Sequence, residues 1–152
     1  AAAIGGHSEI TRLVIGAGAS MADATDKGWN SLHMASQAGH SDVVRALLLE
    51  GAVPVVAGNK GWTALMTAAV EGHGSIVTDL LEAGAEVDVA NAKGCTALIM
   101  AASKGFADVV TILLEAEADV TVVTKDGWTA LAVACNGGHP RCVHYLLDAG
   151  AD

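Results

Sequence analysis

The sequence predicts an all-α solenoid of short stacked helix pairs, on three observations. A 33-residue period runs through the chain, each period carries helix-start and helix-stop signals at fixed places, and no single period has enough apolar surface to form a core of its own. The period is read from its columns. Gly28, Gly61, Gly94 and Gly127 are separated by 33 residues each time, and the same step relates Leu32, Leu65, Leu98 and Leu131. It also relates Ala35, Ala68, Ala101 and Ala134, then Gly39, Gly72, Gly105 and Gly138, and the leucine pair at 47–48, 80–81, 113–114 and 146–147. Agreement across these columns without a gap means four copies of one unit.

Each unit spells its own elements. Thr63, Thr96 and Thr129, with Asn30 in the first full unit, stand where a side-chain oxygen can cap a helix N-terminus. The first helix ends at a Gly that supplies a left-handed C-cap, followed by His40, His73, Phe106 or His139. A second helix follows, as at 41–50, where Val43, Val44, Leu47 and Leu48 form an apolar stripe. Gly51, Gly84 and Gly150 stop it, and a polar turn leads on. Glu117 replaces the stopping Gly in the third full unit, which predicts a strained left-handed residue there. The units run 25–57, 58–90, 91–123 and an incomplete 124–152, after a partial unit at 1–24, all within one array. Both ends fall inside units, so an excerpt of a longer array, or an array with imperfect caps, is expected.

Composition bounds the function. The 152 residues suffice for one domain, and with 52% hydrophobic but only 3% aromatic residues the core must be built from small aliphatics. The net charge of −9 argues against a nucleic-acid footprint or an anionic membrane surface as partner. No apolar run reaches the roughly 18 residues of a spanning helix, and the opening AAAIGGHSEI lacks the basic and apolar regions of a signal peptide. Three irregularly spaced Cys argue against a disulfide framework and for a reducing, intracellular location, cytoplasmic or nuclear.

The unit resembles the ankyrin repeat, whose pattern is Gly-x-Thr-Pro-Leu-His-x-Ala-Ala, then Gly-His, then Leu-Leu-x-x-Gly-Ala. Almost the whole chain takes part. The departures are that Ser31, Ala64, Ala97 and Ala130 stand for the family's Pro, and that its His survives only as His33. The Thr–His hydrogen bonding of the family is therefore expected to be largely absent. The resemblance implies an L-shaped stack of antiparallel helix pairs with projecting β-turn or hairpin fingers. It further implies a non-enzymatic module without cofactor that binds a protein or peptide on its concave face, and a monomer is the expected state. The alternative is a structural spacer within a longer array attached to other functional domains.

Candidate contact residues are those that vary or project. Trp29, Trp62, Cys95 and Trp128 share one column after the repeat Gly, and that column holds all three Trp of the chain. Trp is enriched at binding hot spots, but the rings could equally brace neighbouring fingers. Lys27, Lys60, Lys93 and Lys125 recur near the finger tips, either as solvated turn residues or as a basic rim for an acidic segment. Gln37, Val70, Glu71, Ser103, Lys104 and Asn136 differ from unit to unit at the end of the first helix, which is where an array can encode a partner.

Hidden chemistry is weak. Cys135, His139, Cys142 and His144 lie within ten residues, but the register explains them: Cys135 falls in the column of Ser36, Ala69 and Ala102, and Cys142 in that of Val43, Ile76 and Val109. No zinc site is expected. The recurrent His7, His40, His73 and His139 read as structural bridges between adjacent loops. Cys95 is expected to be the exposed thiol, and no base for a nucleophile accompanies it.

Overall fold

The computed structural model describes the chain except residues 1–2, 4–6, 19, 21–23, 27 and 56, and the side chains at 8 and 14. Among the described residues there are nine α-helices and no strand. An unpaired outer helix, α1 (Ser8–Gly16), precedes four inner–outer pairs. The pairs are α2 (Ser31–Ala38) with α3 (Ser41–Leu49), α4 (Ala64–Glu71) with α5 (Gly74–Glu82), α6 (Ala97–Lys104) with α7 (Ala107–Glu115), and α8 (Ala130–Gly137) with α9 (Pro140–Asp148). The inner helices α2, α4, α6 and α8 pack in one row and the outer helices α1, α3, α5, α7 and α9 in a second.

Local chemistry sets the boundaries. The Thr63, Thr96 and Thr129 hydroxyls accept the backbone N–H of Met66, Ile99 and Ala132. Asn30 Oδ1 accepts two, from Leu32 and His33. Each inner helix ends on a left-handed Gly, at 39, 72, 105 and 138. At 39, 72 and 105 that Gly has a second duty, because the ring that opens the next unit's outer helix lies over it. A Cβ on Gly72 would stand 2.7 Å from the Phe106 ring, and His73 and His139 crowd Gly39 and Gly105 in the same way. His73 and His139 each also carry Nε2 to a carbonyl of the preceding unit, Gln37 at 3.3 Å and Ser103 at 3.2 Å. These two are the inter-loop bridges that their Gly-His setting suggests.

The core follows the columns. Ala35, Ala68, Ala101 and Ala134 are fully buried, as are Val43, Ile76, Val109 and Cys142, and Leu47, Leu80, Leu113 and Leu146. Burying each such leucine contributes about 1.5–3 kcal/mol, and the small alanines let the inner helices approach closely. Leu32, Leu65 and Leu98 are buried as well, but Leu131 is only half-buried, because no inner helix packs on the far side of α8. The same geometry corrects the reading of the cysteines. Cys135 is exposed and Cys95 is half-buried. The column of Cys135 is covered in other units by the following inner helix, and α8 has none.

The fingers are hydrogen-bonded turns rather than strand-bearing hairpins. In each, two backbone bonds close a short loop, as with Asn91 N–H to Cys95 O (3.0 Å) and Gly94 N–H to Asn91 O (2.8 Å). In three fingers a side chain adds a third bond, Thr25, Asn91 and Thr124 accepting the N–H of Trp29, Cys95 and Trp128. Gly58 replaces that acceptor in the remaining finger, which forms a single 3₁₀ turn at Asn59–Gly61 with Lys60 at φ 63°. Neighbouring fingers are tied to each other: Asn59 Nδ2 donates to Asp26 O, Ala92 N–H to Lys60 O, and Lys125 N–H to Lys93 O.

Glu117 takes the left-handed conformation its register demands, at φ 61°, where the other units place Gly. Glu117→Gly removes that strain and raises the unfolding free energy by about 1 kcal/mol in urea titration; a lower stability would contradict it.

Candidate functional site

Finger and inner-helix residues line shared grooves, and the candidate residues lie on these two kinds of element. The Trp column sits where each finger meets its inner helix. Trp29 stacks on His33, with ring centroids 6.1 Å apart and planes at 19°, and its indole lies against Gly58 of the next finger. Trp62 is half-buried against the core. Trp128 is 43% exposed. Trp29 and Trp62 therefore pack against neighbouring residues and still present surface, and Trp128 presents the most surface of the three.

Lys60, Lys93 and Lys125 are exposed on successive fingers, while Lys27 lies outside the described residues. Gln37, Glu71, Ser103, Lys104 and Asn136 are exposed at the ends of the inner helices, and Val70 is half-buried. The structure gathers these residues unequally. Trp29, Trp62 and Lys60 meet in a groove completed by Asp26 and Asn59, and Trp29 and Gln37 meet Met34 and Thr25 beside it. Lys93, Cys95, Ser103, Trp128 and Asn136 converge on a notch of about 260 Å³ between the third and fourth fingers. Its floor is apolar, from Ile99, Met100 and Val133.

The candidate list lacked Met34, Met100 and Val133. They form one column with Thr67, and that column varies beside the uniform alanines at 35, 68, 101 and 134. Asn59, Thr124 and Asp126 were also absent from the list; their finger-tip positions follow from turn geometry that the period alone does not give.

The site's electrostatics are modest. Burial pushes the Cys95 thiol up, Lys93 pulls it down to a smaller degree, and Asp126 raises it again. That is the opposite of an activated thiolate. Among the described residues no three His, Cys, Asp or Glu side chains converge in a way that could hold a metal ion. No helix among them is long and apolar enough to cross a membrane.

The surviving His33 is the one buried imidazole with a resolved perturbation. Its Nδ1 lies 2.7 Å from Asn30 Oδ1 and its Nε2 lies 3.0 Å from Trp62 O. Both partners are acceptors, because Asn30 Oδ1 is already held by two backbone N–H groups. A neutral ring carries one N–H and donates to one of them only. Burial nevertheless holds its pKa below the ordinary range, against the weaker raising effect of the Trp62 carbonyl.

A profile of three ankyrin repeats matches residues 1–91 and again 76–152, which between them span the whole chain. The chain belongs to the ankyrin-repeat family. Such repeats generally serve as protein–protein interaction modules, and the fold is typically non-catalytic. No curated protein matches the chain.

The His33 geometry has a pH consequence. A depressed folded-state pKa means the unfolded chain binds the proton first. Stability from this group is present above the ordinary imidazole value of about 6.5 and is lost as pH falls from there toward the folded value. His33→Met places the residue that Met66 supplies in the next unit. In thermal unfolding between pH 7.5 and 5, the wild type loses more stability than this variant; parallel curves would contradict the assignment.

Proposed function

We propose that the protein is a non-enzymatic interaction module that binds a partner protein or peptide on its concave face, through the Trp column and the finger and inner-helix residues beside it. The observation that carries this reading is the placement of Trp29, Trp62 and Trp128. All three lie at finger–helix junctions on the same side of the stack, and all keep exposed surface beside grooves. A buried brace would have no reason to line a groove. Large rings of restricted motion give much contact area for little ordering entropy, which suits an anchor.

Rigidity supports the same reading. Finger-to-finger bonds at Asp26, Lys60 and Lys93 hold the contact residues in a fixed frame before any partner arrives. A preformed surface keeps the entropic cost of association low. Exposed, unit-specific Gln37, Glu71, Ser103, Lys104 and Asn136 then provide the polar periphery, with Val70 as an apolar exception. The expected partner is neither nucleic acid nor membrane, and the expected working state is a monomer within a cytoplasmic or nuclear compartment.

Affinity capture with the wild-type chain and with a Trp29→Ala, Trp62→Ala, Trp128→Ala triple variant tests the proposal. A partner retained by the wild type falls by about tenfold or more in recovery with the triple variant, while Leu49→Ser on the outer row leaves it unchanged. Recovery indifferent to the Trp column and sensitive to Leu49 would place binding on the other side.

A further inference from the structure

The outer edge of the array breaks its own columns in one unit. Where the later units end the outer helix on Glu82, Glu115 and Asp148, the first full unit places Leu49. Where they carry Glu86, Asp119 and Asp152, it places Val53, and Val55 stands in the column of Asp88. All three aliphatic side chains are exposed, Leu49 at 79%. This exposure is not an effect of the array's end, because α3 packs against α1 on one side and α5 on the other. Folding does not call for these residues either, since carboxylates fill the same columns in units that stack in the same way. Grouped exposed aliphatics of this kind mark a contact surface.

Leu49 also lines a groove of about 380 Å³ between α3 and α5, together with Leu48, Ala83, Arg45, Asp79 and Glu82. Arg45 is held within the wall, its Nε donating to the two Asp79 oxygens at 3.0 and 2.9 Å. Beyond the groove the charge has one sign. Every charged side chain in residues 74–91 and 107–123 is a carboxylate. The loops that leave α5 and α7 lie against each other, Asp119 N–H donating to Asp88 Oδ1 at 3.0 Å. Glu82, Glu86, Glu115 and Glu117 are exposed along them. An apolar patch in one unit thus adjoins a negative ledge that runs across the next two.

We propose that this outer edge is a docking surface, separate from the concave face, for an extended basic segment of a partner protein with apolar residues at one end. The apolar end seats on Leu49, Val53 and Val55, and its lysines or arginines lie over Glu82, Glu86 and Glu115. Packed helices stand about 8–10 Å apart and an extended chain advances about 3.3 Å per residue, so roughly three residues carry the segment from one unit to the next. Charge complementarity selects this occupant. A second copy of the chain would bring a net charge of −9 to the ledge and set carboxylate against carboxylate. A nucleic acid or an anionic lipid surface meets the same repulsion. A wholly apolar segment would leave the ledge unmatched.

A fluorescence-anisotropy titration of fluorescein-labelled Leu-Ile-Leu-Lys-Arg-Lys-Lys-Arg-Lys with the whole chain at low salt tests this. One control peptide carries Ser at the three apolar places, and another carries Glu at every basic place. The first peptide binds and weakens as salt rises, the Ser peptide binds about tenfold less tightly, and the acidic peptide does not bind. Leu49→Ser with Val53→Ser brings the first peptide down to the level of the Ser peptide. Glu82→Lys with Glu86→Lys weakens it by about tenfold or more, whereas Glu9→Lys with Asp152→Lys, an equal change of total charge placed elsewhere, leaves it within about twofold. All the substituted side chains are exposed, and circular dichroism with melting checks that each variant is folded. Equal affinity for the Ser peptide, indifference to the Leu49 and Val53 exchange, or equal losses from the two charge-reversal pairs would reduce the binding to general attraction by an acidic protein and overturn the proposal. Sedimentation velocity showing a dimer of the chain that Leu49→Ser dissolves would overturn it in favour of a second copy. A partner lost with the Trp triple variant and kept by Leu49→Ser belongs to the concave face, so the two surfaces stand or fall separately.

Discussion

The contact between successive inner helices is the constraint on which the rest depends. A unit of two short helices and a turn has apolar residues on faces it cannot close by itself. Ala35, Ala68, Ala101 and Ala134 solve this by being small. With a methyl group at each of these places the helices α2, α4, α6 and α8 come together in one row, and the leucines beside them leave water. The rings of His73, Phe106 and His139 settling over Gly39, Gly72 and Gly105 fix how far one unit can slide along another. Packing and register are therefore set at the same interface.

Function is a product of that register. The fingers are short turns with little hydrophobic support, and what aligns them is the row of helices beneath and the bonds from each finger to the next. Once aligned, residues 33 positions apart stand side by side, so a column in the sequence becomes a line on the surface. Uniform columns build the frame. A break in a column, such as Leu49 where the later units carry Glu82, Glu115 and Asp148, becomes a feature with a definite position. The described lysines Lys60, Lys93, Lys104 and Lys125 all lie on fingers or inner helices, while carboxylates occur on both helix rows and in the loops between them. Arg45 reaches Asp79 at 2.9 Å, an exposed guanidinium on a half-buried carboxylate that ties two outer helices together.

Much of the fold was legible because each unit writes its start and stop in local chemistry. The capping oxygens of Asn30, Thr63, Thr96 and Thr129 and the left-handed glycines mark helix ends to within a residue or so. Glu117 was legible for the same reason, as a residue forced into a place its neighbours fill with Gly. What the period could not convey is what lies on the far side of a given unit. Cys135 and Leu131 fall in buried columns, yet they are exposed and half-buried on α8, since burial there is conferred by a following helix. The finger at 58–61 departs for another reason: Gly58 offers no side-chain acceptor, and the turn there is a 3₁₀ turn with Lys60 in a left-handed conformation. The candidate site was legible as columns, and its division into separate grooves was not, because a groove depends on which side chains from two units fail to fill the space between them.

Hydrogen exchange on an Ala101→Asp variant tests the central dependence most directly. The carboxylate enters a fully buried site between inner helices, where no partner charge awaits it. If adjacent units support one another, amide protection drops in α4 and α8 as well as in α6, and the indole of Trp128 changes its fluorescence although it lies in a different unit. Loss confined to residues 97–115, with α4 and α8 as protected as before, would mean that the units stand independently and that the concave face does not arise from their contact.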